Sequence, residues 1–205
     1  MNPAYHPIAR RRSPLCLGLL GSLLITATTA NASHQSIATL PNTTHPKTTT
    51  TAAQRQPNSE RSLSFFHTHT GERLEIVYFR QGQYSEDALA RINVFLRDFR
   101  TGDVASIDRR TLDIVHDLTQ QLSFQGEVHI VSAYRSPKTN EMLRKKSKGV
   151  AKKSQHLEGK AIDFRFPGVD TAKLRDIAKT LQRGGVGYYD KSDFIHVDSG
   201  KVRYW

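Results

Sequence analysis

An α+β domain with an antiparallel sheet and helices packed against it is the fold class this chain predicts, and three observations carry that prediction. Strand-like runs at Leu63–His69, Leu74–Phe79, Glu127–Ser132, Lys160–Phe166 and Phe194–Asp198 are interleaved in mixed order with capped, helically periodic segments. The last strands, Val186–Tyr189 and Phe194–Asp198, are adjacent in sequence, which favours antiparallel pairing. Of the 205 residues only about 140 follow the leader and a polar stretch, enough for one domain that buries roughly two thirds of its unfolded surface without disulfide staples.

The leader comes first. Arg10, Arg11 and Arg12 form a basic region, Leu15 to Ala27 is apolar apart from small residues, and Ala30-Asn31-Ala32 is a small-x-small cleavage signal. Residues 1–32 therefore read as a signal peptide, with the adjacent arginines permitting a twin-arginine route beside the Sec route. The apolar run is too short for a comfortable span, so no stable membrane insertion is expected after cleavage. The expected location is exported and periplasmic. Residues 33–62, rich in Ser, Thr, Pro and Gln and without hydrophobic period, are expected to be a disordered tether. Cleavage would remove Cys16, the sole cysteine, so any metal site in residues 63–205 must use His, Asp or Glu.

In the domain, Thr70-Gly71-Glu72-Arg73 joins the first two strand runs as a hairpin. Ser85 caps a helix to about Phe99, with Leu89, Ile92, Leu96 and Phe99 at helical spacing, and Asp108 caps a second to about Leu122 along Leu112, Val115, Leu118 and Leu122. Ser136 caps and Pro137 opens a helix to about Ser147, which puts Arg135 at a strand-to-helix junction. Asp170 caps the last helix to about Gln182, and Gly184-Gly185 ends it.

Alternation along the strands places Ala161 and Asp163 on one face with Ile162 and Phe164 on the other, and sets Phe194, His196 and Asp198 opposite Ile195 and Val197. Asp163 and His196 thus project from one polar face. With His156 on the approach loop they form a two-imidazole, one-carboxylate set that suits Zn²⁺ and leaves a fourth position open, the pattern of a catalytic site. His67 and His69 share a strand face, but two ligands on a hairpin make a poor metal site, and they are read as surface residues. Of the total charge of +11, the first 32 residues contribute +3 and residues 33–62 a further +2, from Lys47, Arg55 and Arg61 against Glu60, which leaves +6 on residues 63–205. A balance of that size suits anionic envelope polymers as well as plain solubility. Arg144, Lys145, Lys146, Lys148, Lys152 and Lys153 precede the metal loop, either as a solvated face or as a steering patch. A nucleic-acid partner is not expected, since the chain has no reading motif and carries an export signal.

Ser154-x-His156-x-x-Gly159-x-Ala161-x-Asp163 followed by Asp193-x-x-His196-x-Asp198, together with Ser132 and Arg135, resembles the zinc D-alanyl-D-alanine peptidase family. The likeness is greatest to its YcbK-like murein endopeptidase branch, through Leu63 to Phe66, Ser132 to Pro137, Gly149 to Lys152, Gly184 to Tyr189 and Trp205. The resemblance implies the α+β fold shared with lysostaphin-like enzymes and hedgehog, Zn²⁺ held by His156, Asp163 and His196, and hydrolysis of peptide bonds in peptidoglycan stem peptides or cross-links. It implies Asp193 as general base, where many relatives carry Glu, while strand parity favours Asp198, which shares the face of His196. We read Asp193 as the base and Asp198 as an acid that orients an imidazole. Arg135 either stabilises an oxyanion, holds a substrate carboxylate, or forms a structural ion pair; Ser132, Ser154 and Tyr134 are expected around the site. The alternative function is a non-catalytic wall- or partner-binding module on the same zinc-containing fold.

Overall fold

The computed structural model describes residues 60–205 apart from Lys148. The expected signal peptide lies outside the described residues, as does the tether apart from its last three residues, 60–62. Strands β1 (Arg61–His67), β2 (Arg73–Arg80) and β3 (Gln83–Tyr84) lead into helices α1 (Glu86–Phe95) and α2 (Arg109–Gln121). Then follow β4 (Val128–Ser132), α3 (Pro137–Lys146), a 3₁₀ turn at Gln155–Glu158, β5 (Ala161–Arg165) and α4 (Thr171–Thr180). The chain closes with β6 (Gly185–Tyr189), a second 3₁₀ turn at Asp190–Ser192, β7 (Phe194–Asp198) and β8 (Arg203–Tyr204).

All strands join one sheet in the order β3-β2-β1-β4-β5-β7-β6-β8. The expectation of an antiparallel sheet needs correction to a mixed one, because β1 runs parallel to β4 and β6 parallel to β8. The reason is long-range: two helices separate β1 from β4, and a connection that long can return the chain in either direction. The β1–β2 and β6–β7 pairs are antiparallel, as their short connections favour, and β5 also pairs antiparallel with β7 although α4 and β6 lie between them in the chain.

Local chemistry sets the helix starts. Ser85, Asp108, Ser136 and Asp170 each accept a backbone N–H from the first turn of the helix they precede, which satisfies a donor that the helix leaves orphaned. The first helix stops at Leu96 rather than Phe99. Beyond it the Asp98 carboxylate takes over the backbone, accepting from the amides of Arg100 and Ser136 at 2.9 and 2.8 Å. Burial pushes the Asp98 carboxyl up, but hydrogen bonds from the Thr139 and Ser136 hydroxyls, followed by those from the two amides, outweigh it and hold the pKa down at about 2; together they stitch the turn after α1 to the strand-to-helix junction that carries Arg135. The core is continuous from Phe65, Ile130, Phe164 and Ile195 in the sheet to Ile92, Leu112, Leu118 and Leu174 in the helices.

Asp113 of α2 is buried but well supplied with donors: Tyr78, Tyr84 and Arg61 reach it at 3.0, 2.6 and 2.6 Å. Those bonds fasten the first three strands to the helical layer.

His67 corrects an expectation. It is 1% exposed, with its ring against Phe95 and Phe99, because it continues the buried alternation of Leu63 and Phe65; His69, past the end of β1, is exposed. Its Nδ1 accepts the amide of His69 at 3.3 Å. Burial, then the charge of His69, hold its pKa down at about 4, with Glu72 opposing and Arg97 assisting. Between pH 6.5 and 4 the unfolded chain therefore binds a proton that the folded chain refuses, and stability falls as pH falls through that window. His67→Phe is expected to lose about 2 kcal/mol less stability than the parent between about pH 7 and about pH 4.5. Urea unfolding at the two pH values checks this, and parallel pH slopes for the two proteins would reject it.

Candidate metal centre

The structure brings the three expected ligands together. Asp163 on β5 and His196 on β7 are direct partners in register, so their side chains leave the same face side by side. His156 arrives from the 3₁₀ turn, which Ser154 caps by accepting the His156 amide at 3.3 Å. Gly159 ends that turn at φ 65°, and a Cβ there would stand 2.1 Å from the Ser106 carbonyl oxygen. Only glycine fits both the left-handed backbone and the close approach, which accounts for the glycine between the His and Asp of the motif.

His156 Nε2, His196 Nδ1 and Asp163 Oδ1 converge, with 3.1 Å between the nitrogens, 3.3 Å from His156 Nε2 to the carboxylate oxygen and 2.8 Å from His196 Nδ1 to it. All three residues are buried. The outer ring nitrogens are already engaged. His156 Nδ1 lies 2.6 Å from the Ala133 carbonyl, which can only accept, so that nitrogen carries the proton and Nε2 presents a lone pair. His196 Nε2 lies 2.9 Å from Asp198 Oδ2, which turns Nδ1 inward in the same way. A carboxylate oxygen and two inward nitrogens at these distances need a positive charge among them. A proton can supply it in part: burial disfavours one on His196, but hydrogen bonds to Asp163 and Asp198 outweigh burial and push that imidazole up to about 9. Burial instead pushes His156 down, and the two imidazoles outweigh burial at Asp163 and hold its carboxyl far below the usual carboxylate range. The donor set, with each imidazole fixed from outside by an oxygen, fits a divalent zinc-like ion.

Around the cluster lies a cavity lined by Arg135, by Ser147, Gly149 to Ala151 and Lys153 to Gln155 of the approach segment, and by Tyr189, Phe194, Arg203 and Trp205. Arg135 is positioned by its amide, which donates to the His156 carbonyl at 3.1 Å. Its guanidinium is nearly buried yet short of partners: Nη2 stands 3.8 Å from Asp163 Oδ2, Nη1 is 3.5 Å from Asn140 Oδ1, and Nε has none.

The other expected site residues divide. Ser154 lines the cavity; Ser132 pairs with Asp163 through the backbone of β4; Tyr134 packs against the core and its amide donates to Leu96. Asp198 meets the outer nitrogen of His196. Asp193 is exposed, outside the cavity lining, and its carboxylate accepts the Thr171 hydroxyl at the start of α4. Strand parity gives the same signal, and the structure adds its reason: Asp193 precedes β7, at φ 50° in the left-handed end of the 3₁₀ turn, so strand alternation does not aim it at the cluster. Sequence reasoning missed Arg203 as a site residue, and the only signal was the proximity of a basic residue to Asp198. The Ala133 carbonyl carried no side-chain signal at all.

Residues 55–205 match the family described as peptidoglycan L,D-endopeptidase MepK. The chain belongs to that family. A relative of that name from Escherichia coli K12 is 40% identical over 145 residues, covering 71% of this chain and 80% of the relative. One from Shigella flexneri shows the same identity and coverage. A probable peptidoglycan L,D-endopeptidase MepK from Haemophilus influenzae is 41% identical over 146 residues, or 71% of this chain and 78% of the relative. No solved structure matches. Membership of the MepK family agrees with the zinc peptidase resemblance carried by the His/Asp motif.

Proposed function

We propose that this chain is an exported, zinc-dependent peptidoglycan hydrolase that cuts peptide bonds in stem peptides or their cross-links, with an L,D linkage as the bond its relatives' names suggest. The single observation that carries the reading is the convergence of His156 Nε2, His196 Nδ1 and Asp163 Oδ1 beside the under-bonded guanidinium of Arg135. Zinc bound there would polarise the scissile carbonyl and make a water acidic enough to attack near neutral pH.

The chain's own residues supply the rest. Arg135 offers free N–H donors to an anionic oxygen, either the one that develops at the carbonyl or a substrate carboxylate. Asp193 takes a proton from the attacking water and returns it to the leaving amine, which requires its carboxylate to leave Thr171 and turn into the cavity that Phe194, its neighbour, already lines. Asp198 holds the His196 ring from behind. The net positive domain and Lys153 at the cavity favour an acidic substrate.

One observation favours the second reading, a non-catalytic wall-binding module: the Asp193 carboxylate is held by Thr171 away from the cluster. The experiment that separates the two incubates the purified protein with defined muropeptides, with and without chelator, and identifies products by mass spectrometry. Hydrolysis that disappears with chelator and returns with zinc is expected, and Asp193→Asn is expected to abolish turnover while retaining zinc and wall binding. No turnover by the zinc-loaded parent would sink the hydrolase reading; undiminished turnover by the variant would move the base elsewhere.

A further inference from the structure

Two glycines on β6 leave the site face of the sheet bare beside His196. Gly187 stands opposite His196 in register, and a Cβ on it would lie 2.6 Å from the Trp205 indole. Two residues earlier, a Cβ on Gly185 would lie 2.5 Å from both Arg203 Nη1 and Asp198 Oδ2. The space those side chains would fill is taken instead by Arg203 and Trp205 of the β8 segment, which runs parallel to β6. Backbone bonds clamp the segment in place, from Trp205 N to the Val186 carbonyl at 3.3 Å and from Tyr188 N to the Trp205 carbonyl at 3.0 Å.

Arg203 grips Asp198 with a two-pronged fork, Nη1 to Oδ1 at 3.0 Å and Nη2 to Oδ2 at 2.7 Å. The amides of Gly185 and Gly200 fix Oδ1 further, at 3.2 and 2.8 Å. Asp198 is fully buried, and the oxygen that Nη2 holds is the one that meets His196 Nε2. A bidentate fork sets the plane of a carboxylate as well as its position, and that plane determines the direction in which the imidazole must point to bond it. The Arg203 guanidinium lies over the Trp205 ring at 5.0 Å. The indole is 5.1 Å from the His196 ring, tilted by 51°, and is itself held by donating from Nε1 to the Tyr189 hydroxyl at 3.1 Å. His196 thereby meets Asp198, which Arg203 fixes, at one ring nitrogen and Trp205 at its ring, and both Arg203 and Trp205 come from outside the His/Asp motif.

We propose that Arg203 and Trp205 are positioning residues of the metal centre, Arg203 through the Asp198 carboxylate and Trp205 by packing on the imidazole, together holding His196 with Nδ1 aimed at the point shared with His156 and Asp163. This rests on the reading of His196 as a zinc ligand. It adds that the β8 segment is part of the site and that the glycines at 185 and 187 exist to admit it. The physical expectation is that of any outer partner of a metal-bound histidine: its loss loosens the ligand rather than removing it.

The test measures zinc affinity of the full chain by competition with a chromophoric chelator, with unfolding of the metal-free protein followed in parallel. Arg203→Ala is expected to weaken zinc binding about 10- to 100-fold. Because Arg203 acts through Asp198, the double variant Arg203→Ala/Asp198→Asn is expected to bind zinc no more weakly than Asp198→Asn alone; a merely structural arginine would give additive losses instead. Trp205 is the sole tryptophan, so its emission should change on zinc addition with the same midpoint as the chelator assay. Should Arg203→Ala not fold, Arg203→Lys decides, since it keeps the charge and loses the fork, and a several-fold weaker zinc affinity is expected of it. Zinc affinity equal to the parent's in a folded Arg203 variant, or additive losses in the double variant, overturns the proposal while leaving the zinc reading intact. Absence of zinc binding by the parent overturns the zinc reading first and this inference with it.

Discussion

Asp163→Asn is expected to abolish hydrolysis and to weaken zinc binding by more than the roughly 100-fold that loss of an outer partner costs. The substitution keeps shape and volume and removes only the charge. What remains is two inward imidazole nitrogens with no anionic oxygen to balance a divalent ion, and an amide whose N–H competes for one of them. A second consequence follows from Arg135. Its nearest carboxylate is Asp163, at 3.8 Å, and the guanidinium is nearly buried. Removing the acid leaves a buried cation without its counter-charge, which costs about 3 kcal/mol at the lower end of the range for broken buried pairs, given this long separation. The measurement is a set of thermal melts with and without zinc beside the hydrolysis assay. Zinc at a hundred times its dissociation constant should stabilise the parent by about 2.7 kcal/mol and the variant hardly at all. A variant that gains as much stability from zinc as the parent would show that the three side chains do not share an ion.

Arg135→Gln is expected to lower kcat/KM by about 10²- to 10³-fold, the range found when a donor to a developing oxyanion is lost, with zinc affinity little changed. The reason lies in what the guanidinium does not touch. Its Nε is buried without a partner, and its other contacts stand at 3.5 and 3.8 Å, too long to satisfy a cation that burial already disfavours. Such a group gains most when an anionic oxygen enters the cavity. Steady-state kinetics on a defined muropeptide distinguish its two roles: a fall in kcat at constant KM marks oxyanion stabilisation, and a rise in KM at constant kcat marks a carboxylate anchor. Kinetics unchanged by the substitution would return Arg135 to a structural ion pair.

Much of this architecture is legible in the linear chain where one residue acts on its neighbours. Ser85, Asp108, Ser136 and Asp170 cap as expected because the donors they satisfy lie two or three residues ahead. Alternation along β5 and β7 is equally local, and it was enough to put Asp163 and His196 on one face. Parity also warned that Asp193 departs from that face. Where the reading failed, the cause was a contact distant in sequence. Beyond the end of helix α1 the Asp98 carboxylate bonds the amide of Ser136, a residue far along the chain. His67 continues the local alternation of Leu63 and Phe65, but that face is covered there only because helix α1 and the turn after it bring Phe95 and Phe99 over the end of β1.

The candidate ligands, their spacing and the family likeness were all present in the order of the residues, since the chemistry of an imidazole or a carboxylate does not depend on the fold. Their arrangement into a centre did depend on it. The mixed sheet sets Asp163 across from His196, the left-handed turn at Gly159 presents His156, and β8 folds back over two glycines to seat Arg203 and Trp205 behind the imidazole. Each of those contacts joins segments whose pairing is decided by burial and register over the whole domain, and no window of neighbouring residues contains that information.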